Sequence, residues 1–239
     1  MPGNGKPGVA AVLFDLDGTL LDTAPDLLFA LNAALAEANL PACPGEGIKP
    51  HISGGARAML RYVFAENGIP MACPATETPG GESRFDTILQ RMLSLYQEHV
   101  ADLTRFFAGM ETVLDELDAR GLPWGIVTNK TRRFTDPLVT AVSLAARTPC
   151  IISGDTTSEK KPHPLPLLEA SRRLGRGVES CVYVGDAAKD MEAGRRAGMA
   201  TLAALYGYIG ADDEPERWGA DGLLARPADL LSWLDGEKR

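Results

Sequence analysis

Residues 10–14, Ala-Ala-Val-Leu-Phe, form an apolar run with no polar alternation, the pattern of a short strand buried on both faces. The period then changes. Leu27, Leu28, Leu31, Ala34, Leu35 and Ala38 recur at spacings of three and four, and Pro25 suits a first helical turn. Ala56, Met59, Leu60, Val63 and Phe64 repeat that spacing, as do Leu89, Met92, Leu93 and Tyr96. Residues 67–81, with three prolines and three glycines, read as a surface loop between the second and third helices. Residues 22–105 therefore read as helical throughout.

After Gly109 short apolar runs alternate with helical segments. Helices are expected over 110–120, 165–174 and 191–197, with another before the third strand, and strands over 124–128, 150–152, 181–184 and 201–205. That alternation predicts an α/β fold: a Rossmann-like parallel sheet with helices on both faces. The first strand joins the same sheet, and the helical block is an insert after it. In such sheets ligands gather at the carboxyl ends of the strands. Asp15 and Asp17 end the first strand, Thr128 and Asn129 the second, and Gly185 and Asp186 the fourth, with Asp190 beyond; Lys160 and Lys161 follow the third. Carboxylates beside a hydroxyl and a lysine make a cation site next to an anion site. Carboxylate oxygens suit Mg2+, and such a cation lowers the repulsion between an anionic nucleophile and an anionic substrate.

Each of these features alone has an ordinary reading. Asp15-Leu-Asp17-Gly18 resembles part of a calcium loop, but that loop needs glycine at its sixth position and a helix before it. Thr128-Asn129 can cap a helix, Lys160-Lys161 can be a solvated charge pair, and Gly185-Asp186 can punctuate a strand end. His51 and His163 read as structural or surface residues. The order of the features on successive strand ends is what favours chemistry.

The net charge of −8 argues against a nucleic-acid partner. No apolar run approaches the roughly 20 residues that span a bilayer, so no membrane partner is expected. Residues 1–8 carry one lysine and no apolar segment, which is not the pattern of a signal peptide. Cys43, Cys73, Cys150 and Cys181 lie far apart without a C-x-x-C pair, as expected for reduced thiols in a cytoplasmic protein.

Four motifs in this order resemble the haloacid dehalogenase superfamily of phosphatases. They are Asp15-Leu-Asp17-Gly18-Thr19, Thr128-Asn129, Lys161 in Lys161-Pro162-His163-Pro164, and Gly185-Asp186-Ala-Ala-Lys-Asp190. The resemblance covers nearly the whole chain and adds a domain division: a catalytic core of residues 1–21 and 106–239, and a type 1 helical cap of residues 22–105 that sets substrate specificity. Hinges would lie at residues 21–24 and 106–109. It implies a Mg2+-dependent phosphomonoester hydrolase of the phosphoglycolate phosphatase type. Asp15 would be the nucleophile, forming an aspartyl phosphate, and Asp17 the acid and then the base. Mg2+ would be held by Asp15, the Asp17 backbone carbonyl and Asp186, with Asp190 supporting its waters or orienting Lys161. Thr128 and Asn129 would grip the phosphoryl oxygens, and Lys161, which directly precedes proline, would neutralise their charge. Ala187 stands where related chains often carry a hydroxyl or an acid.

The implied partner is a small carboxylated or sugar phosphomonoester. Ser53, Gly54, Gly55 and Arg57 are the candidate substrate-binding residues: backbone amides at a helix start can hold a carboxylate or sugar oxygen, and Arg57 can pair with a carboxylate. The stretches SGGARAML, WGIVTNKTRRF, YGYI and WGAD are also similar to N-acetylmuramic acid 6-phosphate phosphatases. Two alternatives remain beside hydrolysis: a phosphomutase of the same superfamily and a non-catalytic regulatory protein that keeps the fold.

Overall fold

The structure, a computed structural model, describes residues 8–70 and 83–236. Most of the expected surface loop, residues 71–81 with Cys73, lies outside them. In chain order the elements are β1 (Ala11–Phe14), β2 (Leu21–Asp22), α1 (Ala24–Glu37), α2 (Gly45–Ile52), α3 (Ala56–Glu66), α4 (Arg84–Glu98) and β3 (Arg105–Phe106). They continue as α5 (Met110–Ala119), β4 (Trp124–Val127), α6 (Arg132–Ala141), β5 (Ile151–Ile152), α7 (Leu165–Leu174), β6 (Cys181–Gly185), α8 (Ala188–Ala197), β7 (Ala200–Ala204), β8 (Gly222–Leu224) and α9 (Asp229–Leu234). The chain divides into two compact units, with boundaries between Asp22 and Thr23 and between Thr104 and Arg105.

The first unit is built on a six-stranded sheet of order β5-β4-β1-β6-β7-β8, parallel throughout. β1 is interior, with Val12 paired to both Trp124 and Val182, which is why all four of its residues are apolar and buried. On one face Ala11 and Leu13 pack with Leu167 and Ala170 of α7 and with Ala193 and Ala197 of α8. Phe14 meets Trp124 edge to face at 6.3 Å. Each fully buried leucine such as Leu13 contributes about 1.5–3 kcal/mol over an exposed one. α7 and α8 both stop at glycines in the left-handed conformation, Gly175 and Gly198, which lets the chain turn back into the next strand.

The second unit is helical. Leu31, Leu35, Met59, Leu60, Phe64 and Met92 are buried in it, and Phe64 and Phe85 meet edge to face at 5.2 Å. Ser83 caps α4 by accepting the Asp86 N–H. Asp26, in the first turn of α1, is buried because it ties the two ends of the unit together. It accepts the N–H groups of Leu103 and Thr104, each at 2.8 Å, and the Thr104 hydroxyl at 2.6 Å.

Five elements depart from the periodicity. α2 carries two glycines and Pro50, poor helix formers, yet Ile48 and Ile52 are buried one turn apart, so tertiary burial overrides propensity. β2 and β3 pair antiparallel as Leu21 with Phe106 and Asp22 with Arg105, too short a pairing to show a period. β8 and α9 follow the last expected strand; β8 extends the sheet edge on β7 with only one of its residues buried, so it has no apolar run. Among the described residues no helix is long and apolar enough to cross a membrane.

Candidate active site

The first motif continues the sheet before leaving it. The Asp15 N–H donates to the Val184 carbonyl at 2.9 Å, so Asp15 is still in register at the end of β1. The Leu16 carbonyl then accepts the N–H groups of Leu20 and Leu21 at 3.1 and 3.0 Å, closing a turn. Gly18, at φ +82°, makes that turn possible. A Cβ on Gly18 would collide with the Asp186 carboxylate, and one on Gly207 would meet Asp186 and the Gly18 carbonyl. Gly18→Ala is accordingly expected to destabilise by roughly 1–3 kcal/mol through backbone strain and to displace Asp186. Thermal unfolding and metal titration of the variant check this, and a wild-type profile in both overturns it.

Asp15, Asp186 and Asp190 come together with carboxylate oxygens within 4.8 Å of one another, all buried. The Lys161 ammonium lies among them, 2.9 Å from Asp15 Oδ1 and 2.7 Å from Asp190 Oδ1, and its side chain is fully buried. Asp190 Oδ2 accepts the Ala187 N–H at 3.1 Å, so both Asp190 oxygens are engaged. Ala187, at the α8 N-cap, offers no side-chain acceptor in return. Asp186 is held by the Thr19 hydroxyl at 3.1 Å and the Tyr208 N–H at 2.9 Å.

Three clustered carboxylates, of which Asp15 and Asp190 pair with the Lys161 ammonium, leave a surplus of negative charge in a buried place. Burial, then repulsion from Asp15 and Asp190, pushes the Asp186 carboxyl up to about 8. Burial raises Asp15 to about 6, with Lys161 opposing the rise and Asp190 adding to it. Lys161 is raised because the attraction of Asp15 and Asp190 together outweighs its own burial. Protons therefore make up the missing positive charge when no cation does. Closely spaced carboxylate oxygens short of positive charge fit a hard divalent cation.

Asp17 sits beside this cluster, and its Oδ1 accepts from the Lys130 ammonium at 2.7 Å. Thr128 is buried, and its hydroxyl accepts the Lys130 N–H at 3.1 Å. The Asn129 carboxamide grips the main chain of Lys161 from both sides. It accepts the Lys161 N–H and donates to the Lys161 carbonyl, each at 2.9 Å. The Asn129 side chain is thus committed to the lysine loop. Lys160, next to Lys161, is exposed.

Ser53, Gly54, Gly55 and Arg57 belong to the helical unit, where Ser53 follows α2 and Gly55 is the N-cap of α3. Arg57 is half exposed, paired with Asp86 at 3.2 Å, and its guanidinium lies over the Phe85 ring. His51 stacks on Tyr62, and His163 accepts the Leu165 N–H, so neither joins the carboxylate cluster. Lys130, Tyr183, Thr19 and Tyr208 were not among the expected site residues. Thr19 closes the first motif, Lys130 follows Thr128-Asn129 at a strand end and Tyr208 lies in the YGYI stretch, whereas Tyr183 carries no signal beyond its apolar strand.

A model of the haloacid dehalogenase-like hydrolases matches residues 12–204. The chain is 41% identical over 220 residues to a phosphoglycolate phosphatase of Xanthomonas campestris pv. campestris, covering 92% of this chain and 94% of that one. It is 39% identical over 225 residues to an N-acetylmuramic acid 6-phosphate phosphatase of Pseudomonas aeruginosa, covering 94% of each chain. Its fold is similar, with a TM-score of 0.82 and 25% identity, to a crystal structure from Haemophilus somnus described as a predicted phosphoglycolate phosphatase. That likeness covers 96% of this chain and 99% of the other.

Proposed function

The chain belongs to the haloacid dehalogenase-like hydrolases, and on that premise we propose that it is a Mg2+-dependent phosphomonoesterase acting on a small carboxylated or sugar phosphate. The observation that carries the reading is the buried cluster of Asp15, Asp186 and Asp190 around Lys161, with Asp17 beside it. Asp15 and Asp186 would hold Mg2+ with the Asp17 backbone carbonyl, while Asp190 orients Lys161. When bound, the cation supplies positive charge that lets an anionic nucleophile approach an anionic phosphoryl group.

Asp15 Oδ1 is taken by the Leu16 N–H at 2.7 Å and by Lys161, which leaves Oδ2 to attack phosphorus. The new Oδ2–P bond forms as the ester P–O bond breaks, and Asp17 gives a proton to the departing oxygen. Asp17 then takes a proton from water as that water attacks phosphorus and the Oδ2–P bond breaks, releasing phosphate and restoring Asp15. Lys130 holds the Asp17 carboxylate in place through both steps. Thr128 and the Asn129 backbone N–H meet the phosphoryl oxygens, and Lys161 neutralises their charge.

The helical unit supplies substrate discrimination in this reading. The exposed pair of Arg57 with Asp86 is worth little, so a substrate carboxylate can replace Asp86 at small cost. The relatives named above carry two carboxylated phosphomonoesters in their names, 2-phosphoglycolate and N-acetylmuramic acid 6-phosphate. Side-by-side kcat/KM values for these two, with phosphate release as the signal, decide between them. Release from either without a bisphosphate requirement excludes a phosphomutase. No release from a broad monoester panel with Mg2+ overturns the enzymatic reading.

Metal removal has a second, independent readout. In chelator-treated protein Asp15 and Asp186 bind protons more tightly than in the unfolded chain, where the ordinary value is 3.8. The folded state therefore loses stability as pH rises from about 4 towards about 8. Mg2+ at a hundredfold its dissociation constant is expected to raise the unfolding midpoint at pH 8 by roughly 5–10 °C. It should also flatten the pH slope. A midpoint indifferent to Mg2+ counts against the site.

A further inference from the structure

Tyr183 lies on β6, fully buried in the core, and no motif of the sequence includes it. Its phenol oxygen accepts from the Lys161 ammonium at 2.6 Å and donates to the Val127 carbonyl at 2.9 Å. Asp190 Oδ1, at 3.3 Å, is the longer alternative acceptor and already receives Lys161. Burial and the neighbouring carboxylates keep the phenol protonated. The ammonium has three N–H groups, and Asp15, Asp190 and Tyr183 provide three acceptors at 2.9, 2.7 and 2.6 Å. Val127 closes β4 directly before Thr128, and β1 lies between β4 and β6. Tyr183 thus reaches past β1 to join the lysine of one motif to the strand end that carries another.

We propose that Tyr183 is a positioning residue for phosphoryl transfer: with Asp190 it mounts Lys161 at two points, so that only the third N–H passes from Asp15 to a phosphoryl oxygen. The inference rests on the phosphomonoesterase reading above. Once Asp15 carries the phosphoryl group its Oδ1 is the oxygen of a neutral acyl group and a weaker acceptor, whereas Asp190 and Tyr183 are unchanged. The ammonium then turns its third N–H to the transferred group without leaving its mount. A neutral phenol suits this place better than a fourth carboxylate, because it holds one of the two mounted N–H groups without adding to the surplus of negative charge. Phenylalanine would fill the same volume and leave both the ammonium and the Val127 carbonyl one partner short.

The test compares wild type with Tyr183→Phe in the full chain with Mg2+. The variant should lose roughly ten- to a hundredfold in kcat, with KM moving by no more than about threefold, the split expected of an interaction that counts in the transition state. The second readout is the 15N-ammonium resonance of Lys161, identified by its absence from Lys161→Met. It should show protected protons in wild type and fast exchange in Tyr183→Phe. A tyrosine that only filled the core would lower the unfolding midpoint and leave kcat and the resonance unchanged, and that result overturns the proposal. If Tyr183→Phe does not fold, 3-fluorotyrosine at this position weakens the phenol as an acceptor at nearly constant shape. A shifted Lys161 resonance then supports the proposal and an unshifted one overturns it. Loss of the protected resonance together with a wild type that hydrolyses no monoester overturns the phosphatase reading and leaves the mounting of Lys161 standing.

Discussion

Asp15→Asn is expected to abolish turnover, a loss of about 10^4-fold or more in kcat, while the protein stays folded. A carboxamide has nearly the same shape, and its oxygen can still accept the Leu16 N–H and a proton of Lys161. What it lacks is nucleophilicity, and no neighbouring group replaces it: Asp186 is tied to Thr19 and Tyr208, and Asp190 to Lys161 and Ala187. The stability change should be small without metal, because the substitution also removes one like charge from beside Asp186 and Asp190. The gain in unfolding midpoint on adding Mg2+ should shrink, since one ligand is gone. Phosphate release and paired thermal melts with and without Mg2+ measure both. An active Asp15→Asn protein overturns the nucleophile assignment.

The second large effect separates two adjacent lysines. Lys161→Met removes the ammonium from between Asp15 and Asp190 and leaves both buried without the cation that bridges them. Breaking a buried pair from one side costs about 3–5 kcal/mol, because the remaining charge is uncompensated. At this chain length that is a fall of roughly 6–20 °C in the unfolding midpoint. Activity should drop at least about 10^2-fold to 10^3-fold through lost charge stabilisation of the phosphoryl group. The loss of stability should be smaller in acid, where the carboxylates are protonated, and Mg2+ should recover part of it. Lys160→Met, one residue away on an exposed side chain, should stay within about 0.5 kcal/mol of wild type and keep its turnover. Equal effects from the two substitutions would refute the assignment of the buried lysine.

Much of the architecture was legible because burial writes a period into the chain. β1 is apolar at every position since it has a strand on each side, and α7 covers the residues its apolar spacing marks, Leu165–Leu174. α2 was not legible, because two glycines and a proline hide a helix held by only two buried isoleucines. β8 and α9 were not legible either, since an edge strand with one buried residue shows no pattern.

The candidate site divides along the same line. That Asp15, Asp17, Thr128, Lys161 and Asp186 stand near one sheet edge follows from the strand-end rule and the order of the motifs. Which charges meet there depends on strand order and register, which local periodicity does not encode. Lys130 reaches Asp17 across 113 residues of chain, and Lys161 reaches Tyr183 across 22. Asn129, expected at the phosphoryl group, spends its carboxamide on the Lys161 main chain. Arg57 has a partner of its own, Asp86, inside the helical unit. The sequence alone determined the α/β class and the residue types gathered at the strand ends, because side-chain period and motif order are local properties. Only the tertiary structure decided that Lys161 is mounted on Tyr183 and Asp190, because a buried ammonium takes whatever oxygens the packed strands bring within hydrogen-bond reach.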